Sequence, residues 1–184
     1  MQEKTIRMHD LAGRDVVSRA ESAKVGSFAD ALFSPSDGHI AYVFFDVGGG
    51  FAGFGGRRNA VRGEAIQAIG RDAVVIRDKS GIIDDPQHTD RTGLVSAAEV
   101  RGRSVMTDDG KEIGEVKDFI IDRETGHVIS YVVGQRGGGG IHLGGGQPPA
   151  EELIIPVGDE VPVGAGLITV PSHIVKEVRS RNIE

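Results

Sequence analysis

The 184-residue chain has no cysteine and no tryptophan. Without cysteine there are no disulfides, no thiolate nucleophile and no cysteine-ligated zinc or iron–sulfur site. Two tyrosines and seven phenylalanines leave aliphatic side chains to build the core. No run approaches the roughly 20 apolar residues that span a bilayer, and residues 1–10 lack the apolar centre of a signal peptide. A soluble, cytoplasmic protein without direct membrane insertion is expected. Positive charge is short too, with 21 Lys and Arg against 27 Asp and Glu. This argues against nucleic acid as the main partner, because such binding uses cations to displace counterions from phosphates. Residues 1–92 are nearly balanced at 12 cations against 13 anions, and residues 93–184 carry 9 against 14, so the C-terminal half is the acidic one.

Glycine, by contrast, is abundant at 28 residues, about double the usual share, which implies many turns or long loops. Residues 113–133 read as one β-hairpin. Alternation puts Val116, Asp118 and Ile120 on one face and Phe119 and Ile121 on the other. The polar loop 122–126 ends in Gly126, which accepts the positive φ of a bulged hairpin loop. The pattern occurs a second time nearer the N-terminus. Gly13, Arg14 and Val16 recur as Gly102, Arg103 and Val105 at a spacing of 89; Gly26, Asp30, Gly38 and His39 recur as Gly114, Asp118, Gly126 and His127 at 88. The spacing returns to 89 at Tyr42/Tyr131, Val43/Val132 and Gly48/Gly137. Such matches over so short a stretch exceed what composition supplies, and indicate an internal duplication.

Each copy reads as a series of short strands. In the first they are expected at 15–19, 25–33, 39–47, 64–69 and 73–77, and in the second at 104–107, 113–121, 128–135, 152–157 and 167–170. No helical period is long enough for a crossover, so the fold class is all-β, with a small closed or half-closed barrel in each half. The division is a first domain over 1–80, a linker over 81–95 whose Ile82–Ile83 pair tucks against one barrel, and a second domain over 96–184. A short C-terminal helix starts with Ser172 as N-cap and turns Ile174, Val175 and Val178 inward.

Gly13-Arg14 with Val16, the glycine-containing strand with its central Asp30 or Asp118, the run Asp122 to Val128 with Thr125-Gly126-His127, and the closing strand after Ile69-Gly70-Arg71-Asp72 together resemble the PRC-barrel family. That family is named for the cytoplasmic domain of the photosynthetic reaction-centre H subunit and also occurs as the C-terminal domain of a ribosome-maturation factor. The resemblance covers most of the chain as two tandem barrels. It implies a binding module, since no catalytic signature defines the family.

Two glycine-rich stretches, 48–56 and 137–146, occupy the same place in each copy. Neither has the Lys-Ser/Thr ending or the spacing of a phosphate-cradling loop. Each carries two large apolar residues, Phe51 and Phe54 in one and Ile141 and Leu143 in the other. Such side chains are costly to leave in water, so they are expected to contact a partner protein or a second subunit. Arg57, Arg58 and Arg62 form a basic patch just beyond the first stretch; three arginines without interleaved aromatics read as a solvated face, and Arg57 and Arg58 join Phe51, Phe54, Ile141 and Leu143 as candidates for contacting the partner. Asp30 and Asp118, mid-strand on apolar faces, need hydrogen bonds. They are expected to tie backbone N–H groups, or Arg14 and Arg103, at a bulge. His39 and His127 read as surface residues beside a turn. Asp84, Asp85, His88 and Asp90 are the one local cluster of metal-ligand types, but Pro86 and the spacing do not make a metal loop. No metal, no cofactor and no catalytic residue is expected. The sequence therefore reads as a non-catalytic adaptor or scaffold for protein partners, open to homo-oligomer formation. The alternatives are a peripheral cytoplasmic subunit of a membrane-associated complex and a ribosome or RNA-processing accessory factor.

Overall fold

A computed structural model describes residues 4–48, 56–134 and 152–181. The two alternating segments become its longest strands, β3 (Ala23–Phe33) and β11 (Glu112–Asp122). Each folds back antiparallel on the next strand, β4 (Ile40–Val47) and β12 (Val128–Gly134) respectively. Gly38 and Gly126, at φ +75° and +70°, close the two loops.

Around each hairpin the same neighbours assemble. On one side lie β2 (Asp15–Ser18), antiparallel to β3 and parallel to β7 (Ala73–Ile76), and in the second half β10 (Ser104–Thr107), antiparallel to β11 and parallel to β14 (Leu167–Val170). On the other, β5 (Arg57–Arg62) joins β4, and β13 (Leu153–Pro156) joins β12. The expected all-β architecture with two similar units is what the chain adopts. Among the described residues neither sheet closes into a ring: one path runs from β6 (Ile66–Ile69) to β8 (Ile82–Ile83), the other from β13 to β14. The C-terminal helix α3 (Ser172–Arg181) is present. Its first residue is Ser172 itself, whose amide and hydroxyl donate to Asp108, so the capping carboxylate comes from a distant turn. Val175 is buried, and Ile174 and Val178 pack against the core.

The structure differs from the sequence reading in three places. The basic stretch 57–62 is a strand, and it is β5, not the 64–69 segment, that corresponds to β13. The 64–69 segment instead forms β6 on β7, a pairing reduced in the second half to the bridge Val163–Ile168. The spacing also stays at 88 through β4 and β12: Ala31 faces Val43 as Phe119 faces Tyr131, and Leu32 faces Tyr42 as Ile120 faces Ser130. A spacing of 89 would exchange the two faces of the strand. Tyr131 therefore occupies the inward place of Val43, and Tyr42 the outer place of Ser130.

The third difference is reciprocal exchange. β1 (Thr5–Arg7), at the start of the first copy, pairs with β11 of the second. β9 (Val95–Ser96), at the start of the second copy, pairs with β3 of the first. Each short strand leads into one helical turn, α1 (Met8–Leu11) or α2 (Ala97–Val100), and the chain then returns to its own sheet. The return is fixed when Gly13 N–H donates to the Phe28 carbonyl at 2.9 Å and Gly102 N–H to the Val116 carbonyl at 2.8 Å. Strand membership thus does not follow the chain order on either side of the 81–95 segment. That segment is itself built in, with β8 antiparallel on β5 and residues of this stretch over a small outer cluster of Leu32, Phe44 and Ala60.

As a result one continuous core draws on both copies, from Met8 and Leu11 through Phe33, Val61 and Val105 to Ile168 and Val175. Phe33 from one copy and Phe119 and Tyr131 from the other form a triangle of rings with centroids 5.6, 6.4 and 6.0 Å apart. All three are fully buried. Their counterparts at the same sheet positions are Ile121, Ala31 and Val43, so bulk on one side of the approximate two-fold meets smaller side chains on the other. This is how a close-packed interior tolerates a duplication.

Candidate interaction surface

The paired carboxylates are placed by the break in each long strand. β3 carries a bulge between Phe28 and Asp30, and β11 one between Val116 and Asp118. At these points the strand has left its own neighbour and not yet met the exchanged one. Asp30 accepts from the Ser96 hydroxyl at 2.5 Å and the Ala98 N–H at 3.1 Å. Asp118 accepts from the His9 N–H at 3.2 Å and from His9 Nδ1, and Arg101 approaches to 3.5 Å. Each carboxylate therefore receives the start of the helical turn donated by the other copy. Arg14 and Arg103 act one step further along, where Nε donates to the carbonyls of Asp10 and Glu99 at 3.1 and 3.0 Å. These four residues form the clasp between the copies.

His39 and His127 meet across it. They form a β-bridge with ring centroids 5.5 Å apart, and Val128 N–H donates to the Gly38 carbonyl at 2.9 Å. A Cβ on Gly38 would stand 1.8 Å from the Val128 carbonyl oxygen, so only glycine lets the two hairpin loops touch.

Phe51, Phe54, Ile141 and Leu143 lie outside the described residues. Arg57 and Arg58, which follow the first glycine stretch, open β5. Arg58 grips Asp46 on the neighbouring strand with Nε at 2.8 Å and a terminal nitrogen at 3.2 Å, and this pairing raises its pKa above the ordinary guanidinium value. The two arginines, with Phe44, Asp84, Asp85, Pro86, Gln87 and Arg91, line a hollow of about 420 Å³ on the outer side of the first sheet. Arg91 lies over the Phe44 ring at 5.9 Å, a cation–π arrangement. The acidic residues of the hollow already have tasks. Asp84 accepts from the Asn59 side-chain amide at 3.0 Å, and Asp85 caps a 3₁₀ turn by accepting from Gln87 N–H at 3.3 Å. Nearby Asp90 accepts from Thr92 N–H at 2.9 Å, which holds its carboxyl below the ordinary range. Among the described residues no group of three or more His, Asp or Glu is placed to hold a metal ion.

Phe44 and Arg91 escaped the sequence reading. The signal was the run Val43-Phe44-Phe45, three buried apolar residues in a row where a strand with one wet face would alternate. Such a run marks a strand covered on both faces, here by the 81–95 segment. Elsewhere the described surface offers little apolar area. Ile129 and Leu167, at 38% and 37%, are its exposed large hydrophobics.

The PRC-barrel domain family matches the chain twice, over residues 3–85 and 93–174. No curated protein matches it. No described helix is long and apolar enough to cross a membrane.

Proposed function

Since the chain belongs to the PRC-barrel family, which is generally non-catalytic, we propose that it is a cytoplasmic adaptor that binds a partner protein at the hollow beside its first glycine stretch. The observation that carries this reading is the composition of that hollow: Arg57, Arg58 and Arg91 gathered around Phe44, whose own ring is covered, next to the first glycine stretch in the chain. Arginine is among the side-chain types that dominate binding energy at protein interfaces. Phe51 and Phe54, close to Arg57 in the chain, are the apolar residues proposed to meet the same partner, and Ile141 and Leu143 are their counterparts in the second copy. The fitting partner is a protein loop with an apolar anchor flanked by a carboxylate, which Arg57 can meet while Arg58 stays engaged with Asp46.

The test compares the wild-type chain with two variants, Phe51→Ser/Phe54→Ser and Arg57→Glu, in quantitative affinity capture from the native cell. The reading expects a partner protein that is enriched by the wild type and lost by both variants at unchanged melting temperature. Identical capture by all three would remove it. Salt-reversible sedimentation with membranes would support a peripheral membrane-complex subunit instead, and steeply salt-dependent retention of RNA a ribosomal accessory role.

A further inference from the structure

A second cavity, of about 490 Å³, lies where the exchanged N-terminal strand meets the first copy. It is lined by Thr5, Ile6 and Arg7 of β1, Asp10 of α1, Arg14, Arg71, Ile120 of β11 and Arg123. Four of these eight residues are arginines and one is a carboxylate, in a chain whose net charge is −6. No residue of this cavity lines the Arg57–Arg58 hollow, so the two sites are independent.

Comparison of the two copies separates structural arginines from the others. Arg14 has a counterpart, Arg103, with the same bond to a helix-turn carbonyl, so its presence is explained by the clasp. Arg7 and Arg123 have none. Their positions are taken by Ser96 and Pro35 in the other copy, which builds the same strand pairing and the same loop without a cation. The side chains are also held in place. Arg123 donates Nε to the Ile69 carbonyl at 2.9 Å, across the boundary between the copies, and Arg14 is anchored through Nε in the same way. Arg7 is met by Glu152, which does not itself line the cavity, through two parallel bonds of 3.2 and 2.5 Å, the geometry in which a guanidinium takes a carboxylate or phosphate.

We propose that this arginine-lined cavity binds a small multivalent anion carrying phosphoryl or carboxylate groups. Its volume is in the range of small-molecule sites. Anchored guanidiniums offer charge-assisted, bidentate bonds with little further loss of freedom, and the exposed Arg71 closes the cavity from the β6–β7 turn.

Isothermal titration calorimetry on the full-length chain at low, fixed ionic strength decides the matter, with inorganic pyrophosphate as one probe and citrate as the other. The expected result is saturable one-to-one binding of at least one of them. Binding should be at least about tenfold weaker in Arg71→Gln and in Arg123→Gln, and unchanged in Arg58→Gln, whose arginine lines the other hollow. Pyrophosphate alone would identify a phosphoryl ligand, citrate alone a polycarboxylate. Arg71 is exposed, so the variant at that position should fold even if the Arg123 variant does not. The proposal is overturned if neither anion binds at millimolar concentration, or if Arg71→Gln and Arg58→Gln bind as the wild type does.

Discussion

Replacing Asp118 by alanine tests the clasp where its energetics are most exposed to argument. The residue is 3% exposed and accepts from His9 N–H and His9 Nδ1, with Arg101 at 3.5 Å. Two opposite outcomes are conceivable. A buried charge is costly, and exchanging one for an apolar group sometimes stabilises; hydrogen bonds to a charged group contribute about 1.5–3 kcal/mol each. Geometry favours the second effect. Asp118 sits at a bulge where the ladder is broken, so no packed apolar neighbour is gained by removing it, and α1 loses the acceptor at its first turn. The His9 side chain is 56% exposed and that of Arg101 46%, so both recover water when the carboxylate goes. That recovery cuts the loss to roughly 2–3 kcal/mol, below the sum over partners. For a chain of this size, about 2–4 °C per kcal/mol translates this into a fall in Tm of roughly 4–12 °C. Thermal melts followed by circular dichroism would measure it, with Asp30→Ala falling alongside because Asp30 does the same for α2. An unchanged or raised Tm in Asp118→Ala would refute the claim that these carboxylates hold the copies together.

Three further outcomes follow from particular contacts. Tyr131 is fully buried and its hydroxyl has no hydrogen-bond partner among the described residues, and burial raises its pKa above the ordinary phenol value. Tyr131→Phe should therefore leave stability unchanged or raise it by about 1 kcal/mol, and a fall in denaturation midpoint would show the hydroxyl to be bonded. Gly38→Ala should cost well over the 1–2 kcal/mol of left-handed strain alone, because its Cβ would collide with the Val128 carbonyl, whereas Gly13→Ala at the same φ meets open space and should pay the strain only; equal melting temperatures for the two would count against contact between the loops. The bond to Arg7 holds the Glu152 carboxyl below its ordinary range, so its contribution is present above about pH 4.3, the unfolded value, and is lost as pH falls through the lower folded value. Glu152→Gln should melt slightly below the wild type at pH 7, with the gap narrowing as pH falls below the unfolded value, and a gap that is the same at every pH would contradict the pairing.

The hairpins were legible because their signal is local. Alternation along 113–121 and a glycine at the loop end specify a strand pair whatever else surrounds it, and the same holds for 104–107 and 167–170, which match β10 and β14 residue for residue. β5 was hidden by its three arginines, since they bracket a buried centre of three residues, Asn59, Ala60 and Val61, too short to show an apolar period. The exchange was beyond reach for a different reason. β1 and β9 are three and two residues long, and their state is set by partners more than sixty residues away. Asp30 and Asp118 did signal that something polar must meet the strand at mid-length, and sequence could name backbone N–H groups as the candidates. It could not say that those groups belong to the other copy. The cavity lined by Arg7, Arg14, Arg71 and Arg123 was likewise invisible, because its arginines are scattered over more than a hundred positions and converge only through the exchange.

Differential scanning calorimetry of the intact chain addresses the interlocked core most directly. At about 0.7 kcal/mol per residue the whole chain should unfold with an enthalpy near 130 kcal/mol around 60 °C, in a single transition whose van't Hoff enthalpy equals the calorimetric one. Two resolved transitions, or a van't Hoff enthalpy near half the calorimetric value, would mean that the copies unfold independently and that the exchanged strands do not join them.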